Sequence, residues 1–260
     1  MAHEFSEISQ QLETWYARDA GERLFAEIRA RSAPLLETAF GYHILQLGPL
    51  PGRSLLHDSR IHHKIIAGEA GTSGVTLPCE CAELPLESDS VDIVVALHTL
   101  EFCHNPHNCL REMQRVLTPN GHLLIVGFNP YSLKGLSQRL RGALGNSLWR
   151  TRRPVSQYRL NDWLHLVGCK VECFEHLYPL PPWGSGRIHR TVIQLNAALN
   201  RHQLPIGSVY LAHAIKQVPN IRRPIQRLAR RRSFIGLGVA NPAPTPSGMP
   251  HRHSKKNRAA

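Results

Sequence analysis

Val91-Asp92-Ile93-Val94-Val95-Ala96-Leu97, then Asn105-Pro106-His107-Asn108-Cys109-Leu110-Arg111-Glu112-Met113-Gln114-Arg115-Val116-Leu117, then Leu123-Leu124-Ile125-Val126 are the three runs that decide the fold. The first is apolar except for Asp92 and short, the pattern of a strand covered on both faces in a parallel sheet. Asn105-Pro106 supplies an N-cap followed by proline at the first helical position. Leu110, Met113 and Leu117 recur at helical spacing, so one face of that helix is buried. Pro119-Asn120-Gly121 ends it with residues that favour a turn. Leu123 to Val126 is a second buried strand. Strand, helix, turn and strand in this order make a βαβ crossover, the unit of open α/β sheets.

Outward from this unit, further residues fall into a recognisable order. They are Glu80, Leu84-Pro85-Leu86, Ser90-Val91-Asp92, His98-Thr99-Leu100-Glu101, Leu110-Arg111-Glu112, Arg115-Val116-Leu117 and Pro119-Asn120-Gly121. Together they resemble the middle of a class I S-adenosylmethionine-dependent methyltransferase, of the group called the type 11 methyltransferase domain. The resemblance runs from about Tyr42 to Gln217. It implies a Rossmann-like, mostly parallel sheet of seven strands, S-adenosylmethionine as cofactor, and methyl transfer to an acceptor, small molecule or RNA, that the sequence does not identify.

The resemblance also implies site residues. The first strand and its turn read Leu45-Gln46-Leu47-Gly48-Pro49-Leu50-Pro51-Gly52, where the family has an acidic residue and then Gly-x-Gly-x-Gly. Gln46 stands in place of the carboxylate, and Gly48 keeps the register that lets backbone approach a ligand. Glu69 is the nearest counterpart of the acid that holds the ribose hydroxyls. Glu80 would accept a hydrogen bond from the adenine amino group, with Cys81 beside it. Leu97 and His98 would lie against the methionine half. His98 is also a candidate proton acceptor, because imidazole titrates near neutrality. Methyl transfer does not oblige one, so no residue is assigned a catalytic role. Phe102 replaces the second histidine of the family's His-x-Leu-Glu-His. Asn129-Pro130-Tyr131 is similar to the Asn-Pro-Pro-Tyr signature of amino-group methyltransferases but follows the fifth strand instead of the fourth, and reads as the loop leaving the sheet.

No metal site is expected. His98, Cys103, His104, His107 and Cys109 match no structural zinc spacing. Six cysteines in a mid-sized α/β chain read as free thiols of a reducing cytoplasm. No apolar run approaches the ~20 residues that span a bilayer. Met1 to Gln10 lacks the basic start and apolar block of a secretory signal, so a cytoplasmic location is expected.

The chain divides into an N-terminal helical cap (1–41), a methyltransferase domain (42–217) and a basic, largely disordered tail (218–260). Ile8, Leu12, Trp15 and Tyr16 share one face of a first helix, where Trp15 and Tyr16 are either core packing or walls of the cofactor site. A second helix starts at Glu22. Strands are predicted at Tyr42–Leu47, Lys64–Ala67, Val75–Cys79, Lys170–His176 and Ser208–Ile215. A crossover helix is predicted from Arg53 to about Ile61, another ends at Val167 with Gly168 as its cap, and a third runs through Ile188 to Leu199. Ser132 to Arg153 is rich in Gly and Arg around Trp149, and is either a solvated cover or a contact for a phosphorylated acceptor or RNA.

Charge is placed unevenly. No acidic residue follows Glu175, while 14 of the 31 Lys and Arg do, leaving 17 basic against all 19 acidic residues in the rest. The tail is therefore either a solubilising appendage or a contact for a polyanion. A second reading of the whole chain follows: a catalytically silent methyltransferase fold that binds nucleic acid through its tail. A nicotinamide-dependent oxidoreductase fits poorly, since its fingerprint needs three glycines after the first strand.

Overall fold

A computed structural model describes residues 2–132, 153–177 and 207–218. The arginine-rich stretch around Trp149, the helix predicted through Ile188 to Leu199 and the basic tail lie outside the described residues.

Seven strands form one sheet in the order β3-β2-β1-β4-β5-β7-β6. They are β1 (His43–Leu47), β2 (His63–Gly68), β3 (Leu77–Pro78), β4 (Val91–Leu97), β5 (Leu117–Phe128), β6 (Cys169–Leu177) and β7 (Val209–Lys216). β1 to β5 pair in parallel, whereas β7 runs antiparallel to both β5 and β6. The strand order reverses between β1 and β4. In open α/β sheets the crevice at the carboxyl end of such a reversal is where ligands bind.

Alternation along β4 shows why its sequence is almost wholly apolar. Ile93, Val95 and Leu97 pack into one core with the helices α1 (Ala2–Tyr16) and α2 (Asp19–Thr38). Val94 and Ala96 pack into the other, with α4 (Pro106–Val116) and α5 (Gln157–Leu166). A short α3 (Thr99–Phe102) follows β4 directly. Asn105 caps α4 as its sequence predicts, accepting from the Asn108 N–H, with Pro106 opening the helix. Gly168 follows α5 at φ +79°, the left-handed conformation of a helix C-cap.

Asp92 breaks the apolar run for a structural reason. Its Oδ2 accepts from the Tyr42 and His43 backbone N–H groups at 2.6 and 3.0 Å, tying the start of β1 to β4. Glu112 and Arg115 of α4 act similarly on the turn before β4. Glu112 Oε2 accepts from the Leu84 N–H, and Arg115 donates to the Leu84 and Leu86 carbonyls.

Two expectations fail in the first half of the sheet. The helix predicted from Arg53 to Ile61 is absent, and only a single 3-10 turn forms, at Leu56–Asp58. Pro49, Pro51 and Gly52 occupy the start of that connection, where Pro and Gly disfavour helix. The face such a helix would cover is instead filled from the N-terminal side by α1 and α2. The third strand is also shorter than predicted, with two residues in place of five.

Candidate active site

The reversal between β1 and β4 gathers most of the residues singled out in the sequence. Gln46, 2% exposed, does not point to solvent. Its Nε2 donates to the Arg53 carbonyl at 3.0 Å and its Oε1 accepts from the Leu55 N–H at 2.9 Å. The amide thus replaces helix hydrogen bonds in fastening the connection after β1. Gly48 follows at φ +139°, and a Cβ there would overlap the Leu97 carbonyl oxygen. Thr99 Oγ1 donates to the Leu47 carbonyl at 2.8 Å, so the turn after β1 lies directly against the end of β4.

Leu97 and His98 complete that contact, and both are wholly buried. His98 has φ +54°, a left-handed conformation uncommon outside glycine and asparagine. Its ring is surrounded. Nε2 lies 2.6 Å from the Tyr16 hydroxyl, and the Phe128 ring stacks at 4.1 Å between centroids and 18°. Nδ1 is 3.3 Å from Glu101 Oε2, within ion-pair reach but off the line of a hydrogen bond. Glu101 is itself buried and accepts from the Phe128 N–H through its other oxygen.

Burial raises the Tyr16 phenol well above its ordinary pKa, and the Glu101 charge adds to this against the opposing effect of Arg53. The phenol is therefore neutral, and as both donor and acceptor it bonds Nε2 in the direction that the imidazole tautomer sets. The Arg53 guanidinium lies over the Tyr16 ring at 5.6 Å.

Glu69 and Glu80 stand further along the same edge, just beyond the carboxyl ends of β2 and β3. The Oε2 of Glu69 is buried and meets no hydrogen-bond donor among the described residues. Glu80 is exposed, on a turn closed by the Glu83 N–H donating to the Glu80 carbonyl at 3.1 Å. Cys81 is half-buried, and burial, with smaller effects from Cys103 and Cys79, pushes its thiol up to about 12. It is consequently a protonated, unreactive neighbour of Glu80. Among the described residues no three His, Cys, Asp or Glu side chains are arranged to hold a metal ion.

The structure brings Gly48, Leu97 and His98 together and leaves Gln46 behind them as a brace. Two partners of His98 are not paired with it in the sequence, although Tyr16 reads there as core packing or a wall of the cofactor site. Glu101 sits one turn after His98, and the i, i+3 spacing is the signal that could have paired them. Tyr16 belongs to a helix 82 residues away, and the sequence places it on the apolar face of α1 without pointing to His98.

The sheet order, the antiparallel β7 and the site at the β1/β4 reversal define the fold of the class I S-adenosylmethionine-dependent methyltransferases. Residues 61–125 match the family model described as a methyltransferase domain, so the segment that decides the fold carries the family's pattern. The chain is similar to the uncharacterized protein YafS of Escherichia coli K12, at 29% identity over 197 residues, 75% of this chain and 77% of that one. It is also similar to a malonyl-[acyl-carrier protein] O-methyltransferase of Methylovorus, at 28% identity over 151 residues, covering 55% of this chain and half (50%) of that protein. Among solved structures, an S-adenosylmethionine-dependent methyltransferase of Thermotoga maritima, described as a possible histamine N-methyltransferase, superposes with a TM-score of 0.59. That match has 18% identity and covers 83% of this chain and 99% of that one, a likeness of fold.

S-adenosylmethionine is the cofactor these matches indicate. The residues present fit it at one informative point. The Glu69 Oε2, just beyond the end of β2, is a buried acceptor that meets no donor among the described residues and so is able to take a ligand hydroxyl. Among the described residues no helix is long and apolar enough to cross a membrane.

Proposed function

We propose that this protein is a cytoplasmic enzyme that transfers the methyl group of S-adenosylmethionine to an acceptor still to be identified. The observation that carries the reading is the buried Glu69 oxygen, without a donor among the described residues, on a class I methyltransferase sheet. A buried acceptor with no donor is costly, and a ligand hydroxyl removes that cost.

Bound S-adenosylmethionine supplies a methyl group already activated by its sulfonium. The chain's residues then have binding and positioning to do. Glu69 accepts from the ribose hydroxyls, and Glu80, with Cys81 beside it, accepts from the adenine amino group. Gly48 lets the backbone approach, while Leu97 and His98 form the wall at the reacting end. Holding donor and acceptor in line accounts for much of the acceleration in a displacement of this kind. His98 can receive a proton from the acceptor once its Nε2 is released from Tyr16. The basic tail contributes a contact for a polyanion.

Titration calorimetry of the full chain with S-adenosylmethionine and S-adenosylhomocysteine tests the reading. Saturable binding is expected, weakened by roughly tenfold in Glu69→Gln, about one charge-assisted hydrogen bond. The unliganded variant should be at least as stable as wild type, because Glu69 Oε2 has no described donor to lose. Absence of binding to the wild type by either ligand would remove the methyl donor from the account.

A further inference from the structure

Four of the six cysteines come together at one place in the fold. Cys109 of α4 is 1% exposed and belongs to the core on the α4 side of the sheet, and Cys79, Cys81 and Cys103 pack against that same core. They arrive from separate segments. Cys79 directly follows β3, Cys81 lies on the turn that carries Glu80, and Cys103 ends α3. All four are free thiols.

Hydrogen bonding singles out one pair within this group. Cys103 Sγ donates to the Leu100 carbonyl at 3.6 Å, which leaves its sulfur lone pairs for another donor. The Cys109 thiol is raised well above the ordinary thiol range, first by its hydrogen bond with Cys103 and then by burial. A bond that raises a thiol in this way holds it protonated, so the Cys109 S–H is directed at the Cys103 sulfur. Cys81 acts on both thiols through charge alone. The two sulfurs also differ in access. Cys103 is half-buried while Cys109 is closed to solvent, so a dissolved oxidant meets Cys103 first.

We propose that Cys103 and Cys109 are a peroxide-responsive modification site, in which Cys103 is oxidised and Cys109 closes the disulfide. Hydrogen peroxide gives one oxygen to Cys103, forming a sulfenic acid and releasing one water. Cys109 Sγ then attacks that sulfur, and its proton leaves with the departing hydroxyl as a second water. The two sulfurs together supply the two electrons that reduce the peroxide, and no further reactant is required. The new ring joins the end of α3 to the first turns of α4, the two helices that follow β4. Cys169 and Cys173 have no such option, because four residues along β6 separate them by roughly 13 Å. Cys173 is nevertheless exposed, and so marks what access alone achieves. None of this chemistry requires a methyl donor.

The experiment treats the full chain with graded hydrogen peroxide, blocks remaining thiols with N-ethylmaleimide and digests after glutamate for mass spectrometry. Cleavage after Glu101 and Glu112 leaves Cys103 and Cys109 on one peptide, while Cys79 and Cys81 are parted from it and from each other at Glu80. In the wild type that peptide should lose two hydrogens and take up no maleimide, and dithiothreitol should restore both alkylation sites. In Cys109→Ser the Cys103 sulfur should stop at the sulfenic acid and be labelled by dimedone. In Cys103→Ser the Cys109 thiol should survive the same peroxide unoxidised. The wild-type masses decide the matter even where a serine variant folds poorly. A peptide that keeps both thiols while Cys173 is oxidised would overturn the pair, and a bridge from Cys103 to Cys81 would overturn it equally.

Discussion

The side-chain amide of Gln46 bridges Arg53 and Leu55, giving a hydrogen bond to one and receiving one from the other. Both functions of the amide are used, which makes a carboxylate the wrong group here although the family places one at this point. Gln46→Glu keeps the acceptor for Leu55 but turns a second oxygen toward the Arg53 carbonyl. The loss should be about 1–3 kcal/mol of stability at neutral pH, the cost of an unsatisfied buried acceptor. Urea denaturation of the two proteins measures it. Equal midpoints would mean that the brace contributes nothing and that Gln46 is free to serve a ligand.

Gly48 is constrained from two directions. Its φ of +139° is a conformation that L-residues rarely adopt, and the space for a side chain is taken by the Leu97 carbonyl. Gly48→Ala must therefore push the β1 turn away from β4 or distort both. A loss above about 3 kcal/mol is expected, since backbone cannot yield as a side-chain tip does. The variant should be largely insoluble or unfold at a much lower temperature than wild type. A soluble Gly48→Ala with an unchanged melting curve would show that the turn can stand off from β4.

The strands that build the reversal were readable because burial on both faces writes itself as a continuous apolar run, as in Val91 to Leu97. The Asn105-Pro106 start of α4 was equally plain, since capping chemistry is local. The stretch from Arg53 to Ile61 reads as helix yet forms only a single 3-10 turn, at Leu56–Asp58. Nothing local says that α1 and α2 already occupy the sheet face that a crossover helix would cover. Long-range contacts were illegible for the same reason. Tyr16 meets His98 only because two segments 82 residues apart pack together, and no spacing rule reaches that far. Glu101 was visible as part of a motif, but its direction toward His98 depends on the left-handed turn that His98 makes. Glu69 is legible as the acid next after the second strand, whereas only the packed structure shows that its Oε2 meets no donor among the described residues.

Glu112 is the member of the Leu-Arg-Glu motif with a measurable pH signature. Its hydrogen-bonded pairing with Arg115 holds its carboxyl below the ordinary range, helped by the Leu84 N–H and resisted by partial burial. A carboxyl whose pKa is lowered by folding stabilises the protein above its unfolded value, about 4.3, and that contribution disappears as pH falls through the folded value. The side chains are 35% and 20% exposed for Arg115 and Glu112, so solvent screening limits the pair to roughly 1 kcal/mol. Glu112→Gln should be less stable than wild type at pH 7, and the gap should narrow steadily as the pH is lowered toward 3. A gap that stays constant across that range would exclude the ion pair as its source.

His122 of β5 and His213 of β7 should set the stability lost in mild acid. Their rings stack with Nδ1 and Nε2 3.0 Å apart, so one must be donor and the other acceptor, which requires at least one neutral ring. Burial lowers the pKa of both; His213 is lowered further by His122 and only partly restored by Glu172. A histidine whose pKa falls on folding contributes stability that is present above its unfolded value of about 6.5 and is lost as pH drops through the folded value. The urea midpoint of the wild type should therefore decline from pH 7 to pH 5. His213→Gln retains a hydrogen-bonding partner for His122 and removes one of the two titrating groups, so its decline over the same interval should be shallower. A variant whose midpoint falls as steeply as the wild type would place the acid sensitivity elsewhere, and His176, also lowered by burial, would be the next residue to replace.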